Sequence, residues 1–278
     1  MSDSGPLLEV DDLHVRFRTR DGVVSAVNGM SFTLDAGETI AILGESGSGK
    51  SVTAQAIMGI LPSKTATIPQ GSIRYRGTEL VGLRERDYRQ LRGAKIAMVF
   101  QDALSALNPV TSVGRQVSEM FRVRGDLSRR QAKAAAIEVM SHVGIPDPAR
   151  RFGDYPHQFS GGMRQRVMIA TMIALRPSVL IADEPTTALD VTVQAQIMDL
   201  LKELQHETGT GLILITHDLG VVASVADRIA VMYGGRVMEQ GNVDEIYQRQ
   251  ANPYTVGLLE SIPQIDERVG RLPAIPGL

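Results

Sequence analysis

The chain has 278 residues, of which 43% are hydrophobic and 22% charged, so it can form a substantial core, either in one large α/β domain or in one domain plus appendages. The formal net charge is −2 and the sequence pI is about 6.2, so no basic surplus favours nucleic acid as a partner. Cysteine is absent, which excludes disulfides, thiol nucleophiles and cysteine-ligated metal sites.

The apolar segments are short. We expect no secretory signal at the N-terminus, because no basic stretch is followed by a long apolar one. The longest apolar runs, such as residues 40–43 and 179–182, are far below the ~20 residues that a membrane-spanning helix needs. Any role at a membrane is therefore expected to depend on a partner.

The predicted elements begin with strands. Residues 7–17 mix apolar and charged side chains and predict a pair of strands, and residues 31–43 predict strand, turn and buried strand. Later apolar runs at residues 95–100, 179–182 and 212–215 predict further buried strands. Continuous apolar runs of this kind are typical of a parallel sheet that is covered on both faces.

Helical patterns follow the strands. A helix is expected after residue 50, and residues 102–161 are mostly helical in pattern, with residues 128–143 the best example. Asp190 is a candidate N-cap for the next helix. Residues 229–239 predict a hairpin with a two-glycine turn. The last residues, 252–278, contain four prolines and are expected to form an extended appendage.

Residues 44–51 match the phosphate-binding pattern G-x-x-x-x-G-K-[ST], between a predicted strand and a predicted helix. Its glycines let backbone amides surround an anion, and the helix start adds a positive partial charge. We expect Lys50 to neutralise the β- and γ-phosphates of ATP and Ser51 to bind Mg²⁺. The predicted nucleotide-binding residues of this segment are Gly44, Glu45, Ser46, Gly47, Ser48, Gly49, Lys50, Ser51 and Val52.

Asp183 and Glu184 follow the apolar residues 179–182. An apolar strand alone indicates only core. These acids, however, lie where a parallel strand ends, which is the usual ligand side of such sheets. We therefore expect Asp183 to reach the Mg²⁺ shell and Glu184 to act as general base towards the attacking water.

A second anion-binding end is predicted at Ser160, Gly161 and Gly162, which open a helix. Because one nucleotide rarely needs two such ends from one chain, this end is expected to bind the γ-phosphate of ATP held by a partner chain. With these residues, the sequence resembles the ATP-binding subunits of ABC transporters over most of its length.

The resemblance implies a P-loop NTPase (RecA-like) α/β core with an antiparallel β subdomain and an α-helical signature subdomain. Residues 1–251 would form the ATPase domain, with the helical subdomain at about 102–165, and residues 252–278 a C-terminal extension. The implied catalytic residues are Lys50, Gln101, Glu184 and His217, and the implied metal ligands are Ser51, Gln101 and Asp183.

The resemblance also assigns the dimer-facing segments. Asp190 matches the D-loop, and residues 160–163 match the signature that meets the partner's ATP. Met163 stands where many members carry glutamine, so one possible ribose contact is lost. For the aromatic that stacks on adenine the candidate is Phe17, although Val23 and Val24 lie near the expected place.

Residues 101–109 and 252–255 resemble the bacterial peptide and nickel importers. The resemblance implies an ATPase that powers di- or oligopeptide import at the cytoplasmic face of the inner membrane. Its partners would be two transmembrane permease subunits, a second ATPase subunit, identical or homologous, and an extracytoplasmic solute-binding protein, with no nucleic acid. Many members of the peptide group carry a cysteine cluster near the C-terminus, which is missing here, so a short member or a truncated chain is expected.

Several alternatives remain open. The cargo could be nickel or another small solute, and an exporter would use the same chemistry. An ABC ATPase acting on DNA or the ribosome would usually show a coiled-coil insertion, zinc cysteines or a second ATPase domain. A binding module without turnover is disfavoured because Glu184 and His217 are both present.

Overall fold

The protein is described by a computed structural model that covers residues 5–187 and 189–260. The strands are β1 (Leu8–Thr19), β2 (Gly22–Leu34), β3 (Thr39–Leu43), β4 (Ala66–Tyr75), β5 (Thr78–Glu79), β6 (Ile96–Val99), β7 (Val179–Asp183), β8 (Gly211–Thr216), β9 (Arg228–Tyr233) and β10 (Arg236–Asn242). The helices are α1 (Lys50–Ile57), α2 (Glu85–Leu91), α3 (Ala103–Ala106), α4 (Val113–Val123), α5 (Arg129–His142), α6 (Pro148–Arg151), α7 (Gly161–Ile173), α8 (Val191–Thr208), α9 (Leu219–Val225), α10 (Val243–Gln248) and α11 (Pro253–Glu260), with a 3₁₀ turn at Pro156–Gln158.

The central sheet has the strand order β10-β9-β3-β8-β7-β6. Its strands are parallel except β10, which pairs antiparallel with β9. Successive residues of β3, β6, β7 and β8 alternate between hydrophobic clusters on the two faces of the sheet. The continuous apolar runs therefore do belong to a parallel sheet with both faces covered, as the sequence predicts.

The second sheet is antiparallel, with the order β2-β1-β4-β5. The prediction of a strand pair within residues 7–17 is wrong, because these residues lie in the single long strand β1, which pairs with β2 from Leu8–Leu34 to Thr19–Gly22. The register of β1 shifts against both neighbouring strands, so buried and exposed residues follow one another irregularly along it and do not mark it as one long strand. The buried side of this sheet packs with α1 on one face of the parallel sheet.

Helices α3 to α6 and the 3₁₀ turn lie in residues 102–161, which the sequence predicts to be mostly helical, and α7 begins at the end of this region. α5 confirms the prediction for residues 128–143, since Ser128 is its N-cap and forms a reciprocal capping box with Gln131. α4, α5 and α7 share one hydrophobic cluster with α8 and the second face of the parallel sheet. The subdomain boundaries of residues 102–165 and the ATPase domain limit at residue 251 stay predictions.

The C-terminal part confirms one expectation and overturns another. β9 and β10 form the predicted hairpin around Gly234 and Gly235. The extended appendage is wrong for Pro253–Glu260, which is the helix α11. Proline is compatible with the first position of a helix, and the preceding Asn252 accepts a hydrogen bond from the Tyr254 backbone N–H (2.9 Å). Residues 261–278 lie outside the described residues.

No helix in residues 5–187 or 189–260 is long and apolar enough to cross a membrane.

Candidate active site

Neighbouring strands bring the candidate residues to one edge of the parallel sheet. β3 leads into the P-loop, and β8, β7 and β6 lead into His217, Glu184 and Gln101. Because parallel strands end at the same edge, these loops lie side by side although they are far apart in the sequence.

The P-loop, residues 44–51, joins β3 to α1. Gly44 and Gly49 have φ angles of 151° and 104°, which residues with side chains rarely adopt. A Cβ atom at Gly44 would lie 2.2 Å from the Met232 carbonyl oxygen, and one at Gly49 would lie 2.5 Å from that of Ala26. Both backbone conformation and close packing therefore require glycine at these positions.

The start of α1 offers free N–H groups. Its first backbone hydrogen bond runs from the Thr53 N–H to the Gly49 carbonyl (2.9 Å), so the N–H groups of Lys50, Ser51 and Val52 have no acceptor within the helix. Together with the helix dipole, they favour an anion at this end. This arrangement fits a nucleotide phosphate.

Lys50 is buried inside the loop. Its Nζ donates to the carbonyl oxygens of Gly44 (2.7 Å) and Glu45 (2.8 Å). Burial lowers the pKa of Lys50, and the negative charges of Glu184, Asp183 and Glu45 act in the opposite direction. The ammonium group is thus held among backbone oxygens that a phosphate would replace.

Ser51 and Asp183 are in contact, because the Ser51 Oγ donates to Asp183 Oδ1 at 3.0 Å. Burial raises the pKa of Asp183, whereas the Ser51 hydrogen bond lowers it and the Glu184 charge raises it further. Oxygen ligands of this kind suit Mg²⁺, which keeps several waters and takes further ligands from phosphates. Among the described residues no group of three or more His, Cys, Asp or Glu is placed to hold a metal ion.

The Glu184 carboxylate contacts side chains from three other positions of the site. Its Oε2 accepts hydrogen bonds from Gln101 Nε2 (2.8 Å) and Thr187 Oγ1 (2.9 Å). Its Oε1 lies 3.5 Å from His217 Nδ1. The Glu184 side chain is 17% exposed and that of His217 is 65% exposed, so the carboxylate is fixed while one side stays open to solvent.

The Glu184 backbone is strained. Its φ is 46°, in the left-handed region, and its N–H donates to the Ile215 carbonyl of the neighbouring strand β8 (2.8 Å). A non-glycine residue in this region costs on the order of 1–3 kcal/mol, and such strain is concentrated at functional sites. The neighbouring strand therefore holds this side chain where an unstrained backbone would not.

The loop that carries His217 is fixed at both ends. The Asp218 N–H donates to Thr216 Oγ1 (3.0 Å), and the Asp218 carboxylate caps α9 by accepting from the Gly220 N–H (2.9 Å). Gln194 of α8 donates from Nε2 to Asp218 Oδ2 (2.6 Å). The position of His217 is thus tied to β8, α9 and α8.

The start of α7 lies apart from these groups. Ser160 is its N-cap and accepts from the Met163 N–H (3.4 Å), so the Gly161 and Gly162 N–H groups remain without a helical acceptor. Within the described residues no hydrogen bond or ion pair joins this end to the P-loop or to Glu184. The structure therefore does not bring the second anion-binding end to the chain's own P-loop.

Comparison with known proteins identifies the chain. The family model for ABC transporters matches residues 27–187, more than half of the chain. The chain belongs to the ABC transporter family. A second family model, for the C-terminal region of oligopeptide/dipeptide transporters, matches residues 238–278. Thus the ABC transporter match covers the P-loop, Gln101, the signature and the acidic strand.

Relatives agree with this membership. The oligopeptide transport ATP-binding protein OppD of Bacillus subtilis is 52% identical over 98% of this chain and 76% of its own length. The dipeptide transport ATP-binding protein DppD of the same organism is 51% identical over 98% of this chain and 81% of its own length. The chain is therefore an ATPase of the ABC transporter family, and it binds nucleotide.

Solved structures confirm the fold. The dimeric ATP-binding cassette MJ0796, bound to ADP and Pi in a post-hydrolysis state, matches with a TM-score of 0.76 and 27% identity. This match covers 85% of the present chain and 98% of that structure. The cbiO1 protein of Clostridium perfringens matches with a TM-score of 0.73 and 32% identity, over 88% and 91% of the two chains. The predicted P-loop NTPase fold of an ABC ATPase is thus confirmed.

Leu189, in the segment predicted to be the D-loop, lies beside the start of α7, which carries the predicted signature residues. A Cβ atom at Gly161 would lie 3.5 Å from Leu189, and one at Gly162 would lie 2.5 Å from Val193. Asp190 is the N-cap of α8, as predicted, and accepts from the Val193 N–H (2.9 Å). Ala188 lies outside the described residues. The role of Asp190 across a dimer stays a prediction.

Phe17 is half-buried in β1, opposite Val24 of β2, and packs against the adjacent core. Val23 and Val24 are 66% and 54% exposed. The adenine contact of Phe17 stays a prediction. Met163 packs, half-buried, against the cluster under α7.

Sequence reasoning missed two residues of the site. Thr187 donates to the Glu184 carboxylate and also closes a turn, since its N–H bonds the Glu184 carbonyl (3.2 Å). A hydroxyl three residues after a strand-end acid was the available signal. Gln194 had no local signal, because its partner Asp218 is 24 residues away.

Proposed function

We propose that this chain hydrolyses ATP to power the import of di- or oligopeptides by an ABC transporter. The observation that carries the chemistry is the Glu184 carboxylate, held by Gln101 and Thr187 at the sheet edge that also bears the P-loop. The cargo is supported by relatives about 50% identical over nearly the whole chain, which are named as oligopeptide or dipeptide transport ATP-binding proteins. The match to the C-terminal region of oligopeptide/dipeptide transporters supports the same cargo.

The P-loop side of the site binds the triphosphate. The N–H groups at the start of α1 would donate to phosphate oxygens, and the Lys50 ammonium would exchange its present backbone oxygens for phosphate oxygens. Ser51, Asp183 and Gln101 would hold Mg²⁺ with their side-chain oxygens. When bound, Mg²⁺ neutralises charge on the phosphate oxygens during phosphoryl transfer.

Glu184 is proposed as the general base. Its Oε2 is occupied by Gln101 and Thr187, so Oε1 is the oxygen free to accept a proton from the attacking water. His217 lies on the Oε1 side and is exposed, so it can donate a hydrogen bond to the γ-phosphate. The new P–O bond forms as the bond to the ADP oxygen breaks, and the proton from water passes to Glu184.

The signature residues Ser160, Gly161, Gly162 and Met163 are proposed to act on the ATP of a second ATPase subunit. They present free N–H groups at the start of α7 but have no hydrogen bond to their own P-loop in the described part of the chain. The dimeric state of the matching MJ0796 cassette supports this arrangement. The second subunit is an identical or a related chain, and Asp190 lies in the contact.

Membership of the ABC transporter family implies membrane permease partners. We place the chain at the cytoplasmic face of the cell membrane, bound to two permease subunits and supplied by an extracytoplasmic solute-binding protein. ATP-driven closing and opening of the ATPase pair would move the helical region that follows Gln101, and so the permeases.

The test is to purify the tagged full-length chain from membranes of its own host in mild detergent and identify its partners. The complex is then placed in proteoliposomes with its solute-binding protein, and ATP hydrolysis is measured with a mixture of di- and oligopeptides or with Ni²⁺. We expect two permeases and a second ATPase to copurify with the chain, and we expect peptides to stimulate ATP hydrolysis. With the Glu184→Gln variant, peptides should not stimulate hydrolysis.

If Ni²⁺ and not peptides stimulated hydrolysis, the assigned cargo would change from peptides to nickel, and the assignment as a transporter ATPase would stand. A chain that hydrolyses ATP and binds no membrane protein would refute the transport assignment. Wild-type hydrolysis by Glu184→Gln would instead refute the assignment of the base.

A further inference from the structure

The turn between β9 and β10 touches the P-loop directly. The Gly235 N–H donates to the Ser48 carbonyl of the P-loop at 3.0 Å. At the end of β9, the Met232 carbonyl oxygen would lie 2.2 Å from a Cβ atom at Gly44. The backbone of the P-loop therefore rests on this hairpin, and a shift of the turn would move the loop.

The start of α11 is anchored to the same hairpin. The Glu239 carboxylate of β10 accepts from the backbone N–H groups of Ala251 (2.7 Å) and Asn252 (3.2 Å). Asn252 Nδ2 in turn donates to the Met238 carbonyl (3.1 Å). These bonds connect α11 to a strand that precedes it by more than ten residues, and they fix where the helix begins.

Tyr254, in the first turn of α11, packs on the hairpin next to its turn. Its ring lies 4.6 Å from that of Tyr233, centroid to centroid, at an interplanar angle of 45°. Tyr233 is the last residue of β9 and leads into Gly234 and Gly235. Burial raises the pKa of Tyr254, and the nearby negative charge of Glu45 raises it further. The contact between the Tyr254 and Tyr233 rings therefore places α11 against the end of the strand that leads into the turn.

We propose that Tyr254 is a positioning residue for the P-loop and that α11 thereby sets the affinity for nucleotide. Its ring supports Tyr233, Tyr233 supports the turn, and Gly235 holds the P-loop at Ser48. Tyr254 is not assigned a contact with the nucleotide. This inference depends on the proposed function, because it concerns the ATP affinity of the same site.

Under this proposal, the C-terminal region contributes to the binding free energy of the nucleotide without contacting it. α11 belongs to the segment matched by the oligopeptide/dipeptide transporter C-terminal model, outside the segment matched by the ABC transporter model. A displacement of α11 would shift the β9–β10 hairpin and, with it, the backbone of the P-loop. Conversely, a bound triphosphate, by fixing the P-loop, would stabilise the docking of α11, because the two effects are reciprocal.

The test compares Tyr254→Ala with Tyr254→Phe in the full chain. Affinity for the non-hydrolysable ATP analogue AMP-PNP with Mg²⁺ is measured by isothermal titration calorimetry. Residues that act through a neighbour typically change coupling by about 0.5–2 kcal/mol, which corresponds to roughly 2- to 30-fold in affinity. We expect the Ala variant to lie inside this range, at roughly 3- to 10-fold weaker binding than wild type. Phe keeps the ring, so its affinity should stay within about twofold of wild type.

Steady-state kinetics separate positioning from general damage. In the Ala variant, KM for ATP should rise by a similar factor while kcat is retained, and Phe should restore KM. The matched control is Tyr75→Ala, which removes a buried tyrosine from the antiparallel sheet. It should lower the melting temperature without weakening AMP-PNP binding.

If Tyr254→Ala does not fold, Asn252→Ala replaces it, because that change loosens the start of α11 without emptying the space under Tyr254. It should weaken binding in the same direction by a smaller factor. Wild-type affinity in a folded Tyr254→Ala or Asn252→Ala variant would overturn the inference, as would equal weakening by Tyr75→Ala. A wild-type chain that does not bind AMP-PNP would overturn the proposed function itself.

Discussion

Replacement of Glu184 by glutamine separates the chemical role of this side chain from its structural role. In the native chain, one carboxylate oxygen accepts from Gln101 (2.8 Å) and Thr187 (2.9 Å), and the other lies 3.5 Å from His217 Nδ1. A glutamine has one oxygen and one NH₂ group. If its oxygen takes the place of Oε2, both hydrogen bonds are retained and the NH₂ group faces the imidazole.

The replacement should change the free energy of unfolding far less than it raises the barrier to hydrolysis. With both hydrogen bonds kept, the free energy of unfolding should change by no more than about 1 kcal/mol. This corresponds to roughly 2–4 °C in melting temperature for a chain of this size. A general base contributes about 10²- to 10⁴-fold to a reaction rate, equivalent to ~3–5 kcal/mol of barrier. Hydrolysis should therefore fall by that factor while the fold and the phosphate site persist.

The assay is single-turnover hydrolysis of γ-labelled ATP, with nucleotide retention on gel filtration and thermal denaturation of the same preparation. Glu203→Gln is the matched control, because Glu203 is exposed on α8 and should leave all three readouts unchanged. We expect Glu184→Gln to retain ATP and to form a closed dimer. A hydrolysis rate within about twofold of wild type would refute the assignment of the base, since even the weakest general base contributes more. A large fall in melting temperature would refute the structural argument.

Three other predictions concern the P-loop and its helix. Lys50→Ala should weaken ATP binding roughly 10- to 100-fold, since a charged hydrogen bond is worth ~1.5–3 kcal/mol; unchanged affinity in a titration would contradict the phosphate cradle. Burial lowers the pKa of Lys50, and a bound triphosphate would raise it, so ATP binding at alkaline pH should be accompanied by proton uptake. Calorimetry in buffers of different ionisation enthalpy should detect this uptake in wild type. It should be missing in Lys50→Arg, because arginine stays charged. Arg92 donates to the carbonyls of Met58 (2.7 Å) and Gly59 (2.6 Å) at the end of α1. Arg92→Ala should thus lower the free energy of unfolding in urea by about 2–4 kcal/mol, and the exposed control Arg89→Ala by less than 1 kcal/mol.

Features that depend on neighbours in sequence were predictable. The P-loop glycines, the N-caps Ser160 and Asp190, and the two-glycine hairpin all follow from local backbone chemistry, and the structure has them at the expected positions. The buried strands were predictable because an apolar run of that length is stable only inside a covered sheet. Their endings then predicted that Asp183 and Glu184 face the ligand edge.

Features that depend on contacts between distant parts of the chain could not be predicted from the sequence. The Glu184 hydrogen bond to Gln101 joins residues 83 positions apart, and no local pattern specifies the direction of either side chain. α11 was mistaken for an extended segment because its proline was counted as a breaker. Its start is stabilised by Glu239, which precedes Asn252 by 13 residues. The length of β1 was misjudged because its register shifts depend on the pairing strands.

The left-handed backbone of Glu184 has a consequence for how sequence variation in this chain is interpreted. With a φ of 46°, this position would be more comfortable with glycine, which has no steric penalty there. Such a variant would lose the carboxylate and its hydrogen bonds to Gln101 and Thr187, but it would relax the backbone, so stability should fall much less than activity. The side chain that the proposed reaction needs is therefore carried on a backbone that glycine would adopt more easily. A survey of variants by cellular abundance alone would underestimate the damage done by this replacement.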